Sequence, residues 1–496
     1  MTRHHNNNIE IPSLARLTAI LLVGVIVYAC ARTTFAAGEI PLLLPLTTAT
    51  LSAGALFVIA RKRNPMAVFV RIGFHVGMFA YFLSYPILSP ESVNPRISVD
   101  VHNLLGMILL FTVIGFEAAY WLKVPPRKPK LEAHAQFILK PDRQRLLLIF
   151  GALGIVAWFA TVWDYAQAAG VSIVDTVLTM RGAVEGAPED VITSLGYLSY
   201  VFGAGVFVAA TAALLLLTAS KRISNLVAGI CWLALLFCAS VGFLRGSRAV
   251  FLYSFAPLAA TCWIKLSKLR TGKSTRWLWI AAAGVLVVIV WGAMSAMRGA
   301  DIRKYKGGWE GVAPMSHAQG AFDIYSTTAK IVASFPDEIP YEYGKSLVPL
   351  VLGWVPRPLW TNKPYPFSLY ANIINGETLE ARAASLAVGL PGEGYGNFGL
   401  LGAFLWGALM GLACRWGDDR IARMNPSNPL RLQLAVTGAI WAAMIVRGGV
   451  PEMFYMGLNV IMFPIAIACF MFRSEKSARA RQVMAVNLEG NFRLSK

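Results

Sequence analysis

The chain reads as an all-α polytopic membrane protein of about 12 transmembrane helices, with a long, partly helical loop between spans 9 and 10. Three observations predict this. Of the 496 residues, 56% are hydrophobic and only 14% charged, with a mean hydropathy of +0.56, whereas soluble domains carry about a quarter charged residues. Apolar runs of roughly 20 residues, long enough to cross ~30 Å of hydrocarbon, recur from end to end. The net charge of +19 is scattered through short segments between those runs, which is a topological pattern and not the basic patch of a nucleic-acid binder.

In order, the spans fall at 14–34, 40–60, 66–88, 102–122, 145–166, 193–219, 223–244, 249–266, 277–297, 395–414, 432–450 and 453–472. With the N-terminus in the cytoplasm, the cytoplasmic segments collect 29 of the 45 Lys and Arg residues, notably in 61–63, 123–130, 265–276 and the tail 473–496. The other side holds 15, nine of them in the loop 298–394, and Arg71 lies within a span. Excess Lys and Arg in short loops marks the cytoplasmic side, so both termini are expected there. The first span could also be a signal peptide, because "LTAILLVGVIVYACA" ends in Ala-x-Ala. A retained span is the expectation, and cleavage would leave the rest of the topology unchanged.

This gives four regions: spans 1–9 over 1–297, the outer loop 298–394, spans 10–12 over 395–472 and a basic tail over 473–496. An amphipathic outer loop at 167–192 interrupts the first region and contains Arg181. The six cysteines (Cys30, Cys231, Cys238, Cys262, Cys414, Cys469) all fall inside apolar spans, with no Cys-x-x-Cys. They read as small buried residues at helix contacts, not as a disulfide framework or zinc site. Arg71 and Glu117 sit at similar depth near the cytoplasmic ends of neighbouring spans. Ions within a membrane default to function, but here a structural pair is expected, because the remaining polar signal lies on the other face.

That outer face is less usual. Residues 346–360, "SLVPLVLGWVPRPLW", are apolar but too short to span, so they are expected to lie on the bilayer or plug a cavity. The hairpin "LRGSRA" (244–249) puts Arg245 and Arg248 where the charge bias disfavours them. Two arginines could simply snorkel to lipid phosphates. Alternatively, the tight Gly246-Ser247 turn between two guanidiniums could hold an anion through backbone N–H groups and arginine forks. Arg298, Arg303, Arg357, Arg382 and Arg447 share this face, and a set of arginines favours a phosphate-like anion.

The stretch 392–411, "GEGYGNFGLLGAFLWGALMG", opens on polar groups and becomes a glycine-spaced apolar helix. Glu393 and Asn397 are four apart and share a helical face, with Tyr395 to the side. Gly407 and Gly411 have the small-residue spacing that lets helix backbones approach closely. Glu393 could be a helix cap or an acid–base group.

"GEGYGNFGLLG" resembles the Gly-Glu-x-Tyr-x-Asn-Phe-Gly-x-x-Gly signature of bacterial Wzy-type oligosaccharide repeat-unit polymerases, which act in O-antigen, capsule and exopolysaccharide assembly. "WVPRPLWTNKPYP" (354–366) is similar to their Pro-Arg-x-x-Trp-x-x-Lys-Pro segment, and "GSR" (246–248) to an arginine-bearing turn. The sequence-level match covers mainly 346–411, while span count and loop position agree over most of the chain. The resemblance implies a membrane glycosyltransferase at the periplasmic face of the bacterial inner membrane. Its substrates would be polyprenyl-diphosphate-linked oligosaccharides, with a chain-length regulator as a partner beside membrane lipid and no nucleic acid.

Such chemistry needs positive donors for the departing diphosphate and an aligned sugar hydroxyl. Arg245, Arg248 and Arg357 are the candidates for the diphosphate, backed by Lys363, Arg298 and Arg181. Glu393 is the candidate base or acceptor-orienting group, and Tyr395 and Asn397 are candidates for holding sugar hydroxyls. No cofactor and no metal is expected, since the chain has no Asp-x-Asp and no Gly-rich Lys phosphate loop. His317, alone in the long loop, reads as a solvated or structural residue. The alternatives are an O-antigen ligase with another acceptor, or a lipid-linked oligosaccharide flippase. A flippase would be expected to show repeated halves and polar groups at the midplane, and neither is visible.

Overall fold

The computed structural model describes residues 68–83, 97–122, 141–170, 203–220, 223–244, 248–268, 324–352, 387–424 and 428–450, with a few single positions outside these ranges. The spans expected at 14–34, 40–60, 277–297 and 453–472, and most of the loop 167–192, lie outside the described residues.

Among the described residues the protein is all-helical. In chain order the helices are α1 (Phe69–Met78, continued by a π-helical turn Phe79–Leu83), α2 (Val99–Trp121), α3 (Pro141–Ala169), α4 (Gly205–Ala219) and α5 (Asn225–Leu244). Then follow α6 (Arg248–Lys268), α7 (Ile324–Ser334), α8 (Val348–Leu352), α9 (Gly389–Arg423) and α10 (Pro429–Arg447). Four of them, α2, α3, α9 and α10, are long and apolar enough to cross a membrane. Several turn their apolar side chains outward. On α9 the exposed large residues are Phe398, Leu401, Leu405, Leu409, Leu412 and Trp416, and on α3 they are Ile149, Leu153, Val156, Phe159 and Trp163. Apolar stripes of this length at helical spacing mark a surface made for lipid.

Ends are set locally in three helices, α5 among them, where Ser224 accepts the Val227 N–H. Ser98 accepts the Val101 N–H at the start of α2, and Asn428 accepts the Leu430 N–H ahead of Pro429 at the start of α10, both ordinary N-caps. α1 has no such side chain of its own. Its cap comes from α9, where Asp418 accepts the N–H groups of Val70 (2.9 Å) and Arg71 (3.2 Å).

Glycines set the spacing of the bundle. A methyl group on Gly407 would overlap the carbonyl oxygen of Thr112 on α2, and one on Gly411 that of Phe116. Gly115 faces the Phe404 carbonyl in the same way, so α2 and α9 run parallel, backbone against backbone. The Gly407/Gly411 expectation is met. Gly73 and Gly77 play the same part between α1 and α10, against Ala439 and Ala443. Beyond this pair, α4 and α6 pack on α10, and α3 and α5 pack on α4.

One expectation needs correcting. The span read at 395–414 as one helix begins at Gly389 and breaks at Phe398 (φ −144°, ψ 26°) and Gly399 (φ 62°, ψ −147°). The Gly399 conformation is essentially reserved for glycine. The short arm 389–397 turns back on the long arm 400–423. A Cβ on Gly394 would lie 2.8 Å from the Gly402 carbonyl oxygen, and one on Gly402 would overlap the Gly394 carbonyl. In a straight helix those residues would stand about 12 Å apart. Gly402→Ala is therefore expected to cost about 1–3 kcal/mol, since the obstructing atoms are backbone on both sides. Thermal unfolding in detergent checks this, with Leu401→Ala on the lipid-facing stripe as the neutral control. An unchanged midpoint for Gly402→Ala would refute the folded-back corner.

Candidate functional site

The short arm of α9 is held between three elements. α7 lies against its start, where Thr328 Oγ1 donates to the Val388 carbonyl (2.7 Å) and the Thr328 methyl covers Gly392. The segment 341–347 closes its end. The N–H groups of Glu342 and Tyr343 donate to the carbonyls of Gly396 (3.0 Å) and Asn397 (3.1 Å). The Gly344 N–H donates to Asn397 Oδ1 (2.9 Å). The carbonyls left open where the arm stops are thus satisfied by the segment 341–347 instead of water.

Glu393 lies at the centre of this junction and is 0% exposed. Its Oε1 accepts from Ser346 Oγ (3.0 Å) and its Oε2 from the Val450 N–H (2.6 Å). Asn397 Nδ2 donates to Ser346 Oγ (2.8 Å) and to the Glu393 carbonyl (2.8 Å). The shared face expected for Glu393 and Asn397 is present, and the Ser346 hydroxyl bridges them, accepting from the amide while donating to the carboxylate. Both carboxylate oxygens are thus held by hydrogen bonds within the protein and kept out of water. Glu393 joins three parts of the chain: the short arm, the loop at Ser346 and the segment that follows α10.

Tyr395 points elsewhere. It is 4% exposed, its hydroxyl donates to the Phe335 carbonyl (3.3 Å), and its ring meets Tyr341 edge-on at 5.9 Å. Phe335, Phe367 and Tyr370 extend this aromatic cluster, and Gly396 leaves room for the Phe367 ring. Tyr370 donates to Glu342 through a short hydrogen bond. Burial and then that bond push the Tyr370 phenol well above its ordinary pKa.

Of the other residues singled out in the sequence, Arg248 is the first residue of α6, which packs on α10; only its backbone is described. Arg245, Arg357, Lys363, Arg298, Arg181 and His317 lie outside the described residues. The apolar segment 346–360 is described in part: a 3₁₀ turn Lys345–Leu347 leads into α8, where Val351 and Leu352 are exposed.

Sequence reasoning missed Ser346, Tyr343 and the buried pair His102–Tyr325. In that pair Nδ1 lies 3.1 Å from the Tyr325 hydroxyl, at the contact of α2 with α7. None carried a signal in spacing alone. Ser346 opens an apolar run, and His102 and Tyr325 are 223 residues apart.

A second polar centre occupies the other end of α9, roughly 27 Å along the long arm. Arg71 Nε donates to Glu117 Oε1 (3.0 Å), and a second, shorter bond runs from its Nη2 to Oε2. His75 Nε2 (2.8 Å) and Trp121 Nε1 (2.9 Å) also meet the Glu117 carboxylate. The Arg71 guanidinium lies 4.9 Å from the ring centres of Tyr120 and Trp121, within cation–π range. The expected Arg71–Glu117 pair is present. Asp418 accepts from Tyr120 Oη (2.9 Å) besides capping α1, which accounts for it structurally. Among the described residues no group of three His, Cys, Asp or Glu could hold a metal.

Compared with protein-family models, with curated proteins and with solved structures, the chain matches none.

Proposed function

We propose that the protein is a membrane glycosyltransferase of the Wzy type, with twelve spans. It would polymerise polyprenyl-diphosphate-linked oligosaccharide repeat units at the periplasmic face of a bacterial inner membrane, for O-antigen, capsule or exopolysaccharide. The observation that carries this reading is that the residues bearing the family resemblance form one connected unit. Glu393, Asn397, Gly399 and Gly402 build the folded-back corner and bind the loop that precedes it. Broken helices at membrane depth persist where they are enclosed by protein or line a cavity, and this break lies at the end of the bundle opposite the Arg71–Asp418 centre.

In the reaction, a hydroxyl oxygen of the incoming unit attacks the anomeric carbon of the growing chain. The bond from that carbon to the diphosphate breaks, the lipid diphosphate leaves with the electron pair, and the hydroxyl proton passes to a base. Arg245, Arg248 and Arg357 meet the charge that grows on the diphosphate, with Lys363, Arg298 and Arg181 behind them. Glu393 acts as a positioning residue, because it is fully buried between Ser346 and Val450.

The test is elongation of synthetic polyprenyl-diphosphate repeat units by the purified protein. Ladders longer than one unit, unaffected by EDTA, are expected. Arg248→Ala should lower the rate by ~10²–10³-fold, the usual loss for one donor to a developing anion. Transfer of the same lipids across vesicles without elongation would overturn the reading in favour of a flippase.

A further inference from the structure

We propose that Tyr343, backed by Phe398, is a stacking platform for a pyranose ring, an inference that rests on the glycan-handling reading above. Tyr343 is the only non-glycine residue with positive φ among those described, at 48°. A bulky side chain in that region is an outlier held against its own preference, and such strain concentrates at ligand-binding sites. The surroundings supply the restraint. The Tyr343 N–H is bound to the Asn397 carbonyl, the Glu342 and Gly344 N–H groups on either side are bound to the same helix end, and Gly344 follows at φ 86°.

All this scaffolding presents a ring to the outside. Tyr343 is 69% exposed. Phe398, itself lifted out of helical geometry at the break, is 37% exposed and meets the Tyr343 ring edge-on at 6.1 Å. Tyr341 supports the ring from another side at 6.3 Å. The strained backbone at Tyr343 and the helix break at Phe398 therefore bring two aromatic rings into edge-to-face contact at the signature corner.

The ligand class follows from ring and rim together. An aromatic face is electron-rich and suits the C–H face of a pyranose, whose edge is a ring of hydroxyls. In the same segment, 335–346, Asp337 and Glu338 are exposed and Glu342 accepts from Tyr370, against a single Lys345. Three carboxylates to one ammonium disfavour an anionic lipid surface, so the platform is assigned to a glycan and not to bilayer anchoring. The inward-facing Tyr395, expected from sequence to stack on sugar, is one of the rings beneath it.

The test uses the full chain in lipid nanodiscs, probed with oligosaccharides released by mild acid from the polyprenyl-diphosphate lipids of the producing cells. Saturation-transfer NMR reads binding without turnover. Wild-type protein is expected to saturate the sugar ring protons, Tyr343→Trp to retain this, and Tyr343→Asn and Tyr343→Leu to weaken it by roughly tenfold or more, in line with a lost stacking face. Asparagine tolerates positive φ, so the melting temperature of Tyr343→Asn should be unchanged or higher, which separates binding from folding. Full binding by Tyr343→Leu would overturn the platform and point to a lipid contact. Elongation assays run in parallel separate the two proposals. Glycan binding through Tyr343 without elongation sinks the polymerase and leaves the platform; elongation with the same KM in Tyr343→Asn does the reverse.

Discussion

Glutamine in place of Glu393 is expected to destabilise the protein by about 2–4 kcal/mol, the scale of losing a charge-assisted bond and stranding a buried donor. The carboxylate accepts from two donors, Ser346 Oγ and the Val450 N–H. An amide offers one acceptor and one donor group, so one orientation sets its NH₂ against the Val450 N–H. The other sets it against Ser346, whose oxygen could accept from it but whose own proton loses the acceptor it had in Glu393 Oε1. No rotamer serves both partners. The loop and the segment after α10 should loosen together, so the unfolding temperature in detergent falls and elongation falls with it. A variant that unfolds at the wild-type temperature but has lost kcat alone would instead make Glu393 the base.

The other large effect belongs to the far end of α9. Arg71→Ala should cost about 3–5 kcal/mol, as for any buried ion pair from which one partner is removed. Arg71 is 2% exposed and doubly bonded to Glu117, and its guanidinium fills the space between Tyr120 and Trp121. Replacing both partners with leucine should cost less than the two single changes together, since no buried charge is then stranded. A double-mutant cycle on unfolding in detergent measures this. A loss below ~1 kcal/mol for Arg71→Ala would mean that the pair behaves as a solvated surface bridge. Elongation per folded molecule should be untouched, because Glu393 lies at the opposite end of α9.

These two sites also mark how far the sequence is readable. Arg71 and Glu117 could be paired in advance because each is an ion in an apolar run, and an ion there needs a partner at its own depth. Gly407 and Gly411 could be placed at a helix contact because their spacing puts both on one face. Glu393 and Asn397 could be put on one face for the same reason. Each of these is a local or periodic signal, carried by hydrophobicity and by the 3.6-residue turn.

What the tertiary structure alone decided is what those residues touch. The break at Phe398–Gly399 is hidden in sequence because a polar, glycine-rich start followed by an apolar run also reads as one straight helix with a polar cap, and only the packing of Gly394 on Gly402 makes the left-handed glycine conformation worth adopting. Ser346 and Val450 lie 47 and 57 residues from Glu393, and Asp418 caps a helix 348 residues away. Tyr343 has no feature in sequence to set it apart from the fifteen other tyrosines. Its strained, outward ring exists because Asn397 and the carbonyls at the end of the short arm hold the backbone on both sides of it. Hydropathy and periodicity act between near neighbours and so specify the helices and their faces. Buried hydrogen bonds draw their partners from anywhere in the chain, and it is the closed bundle, where every such group must be satisfied, that selects them.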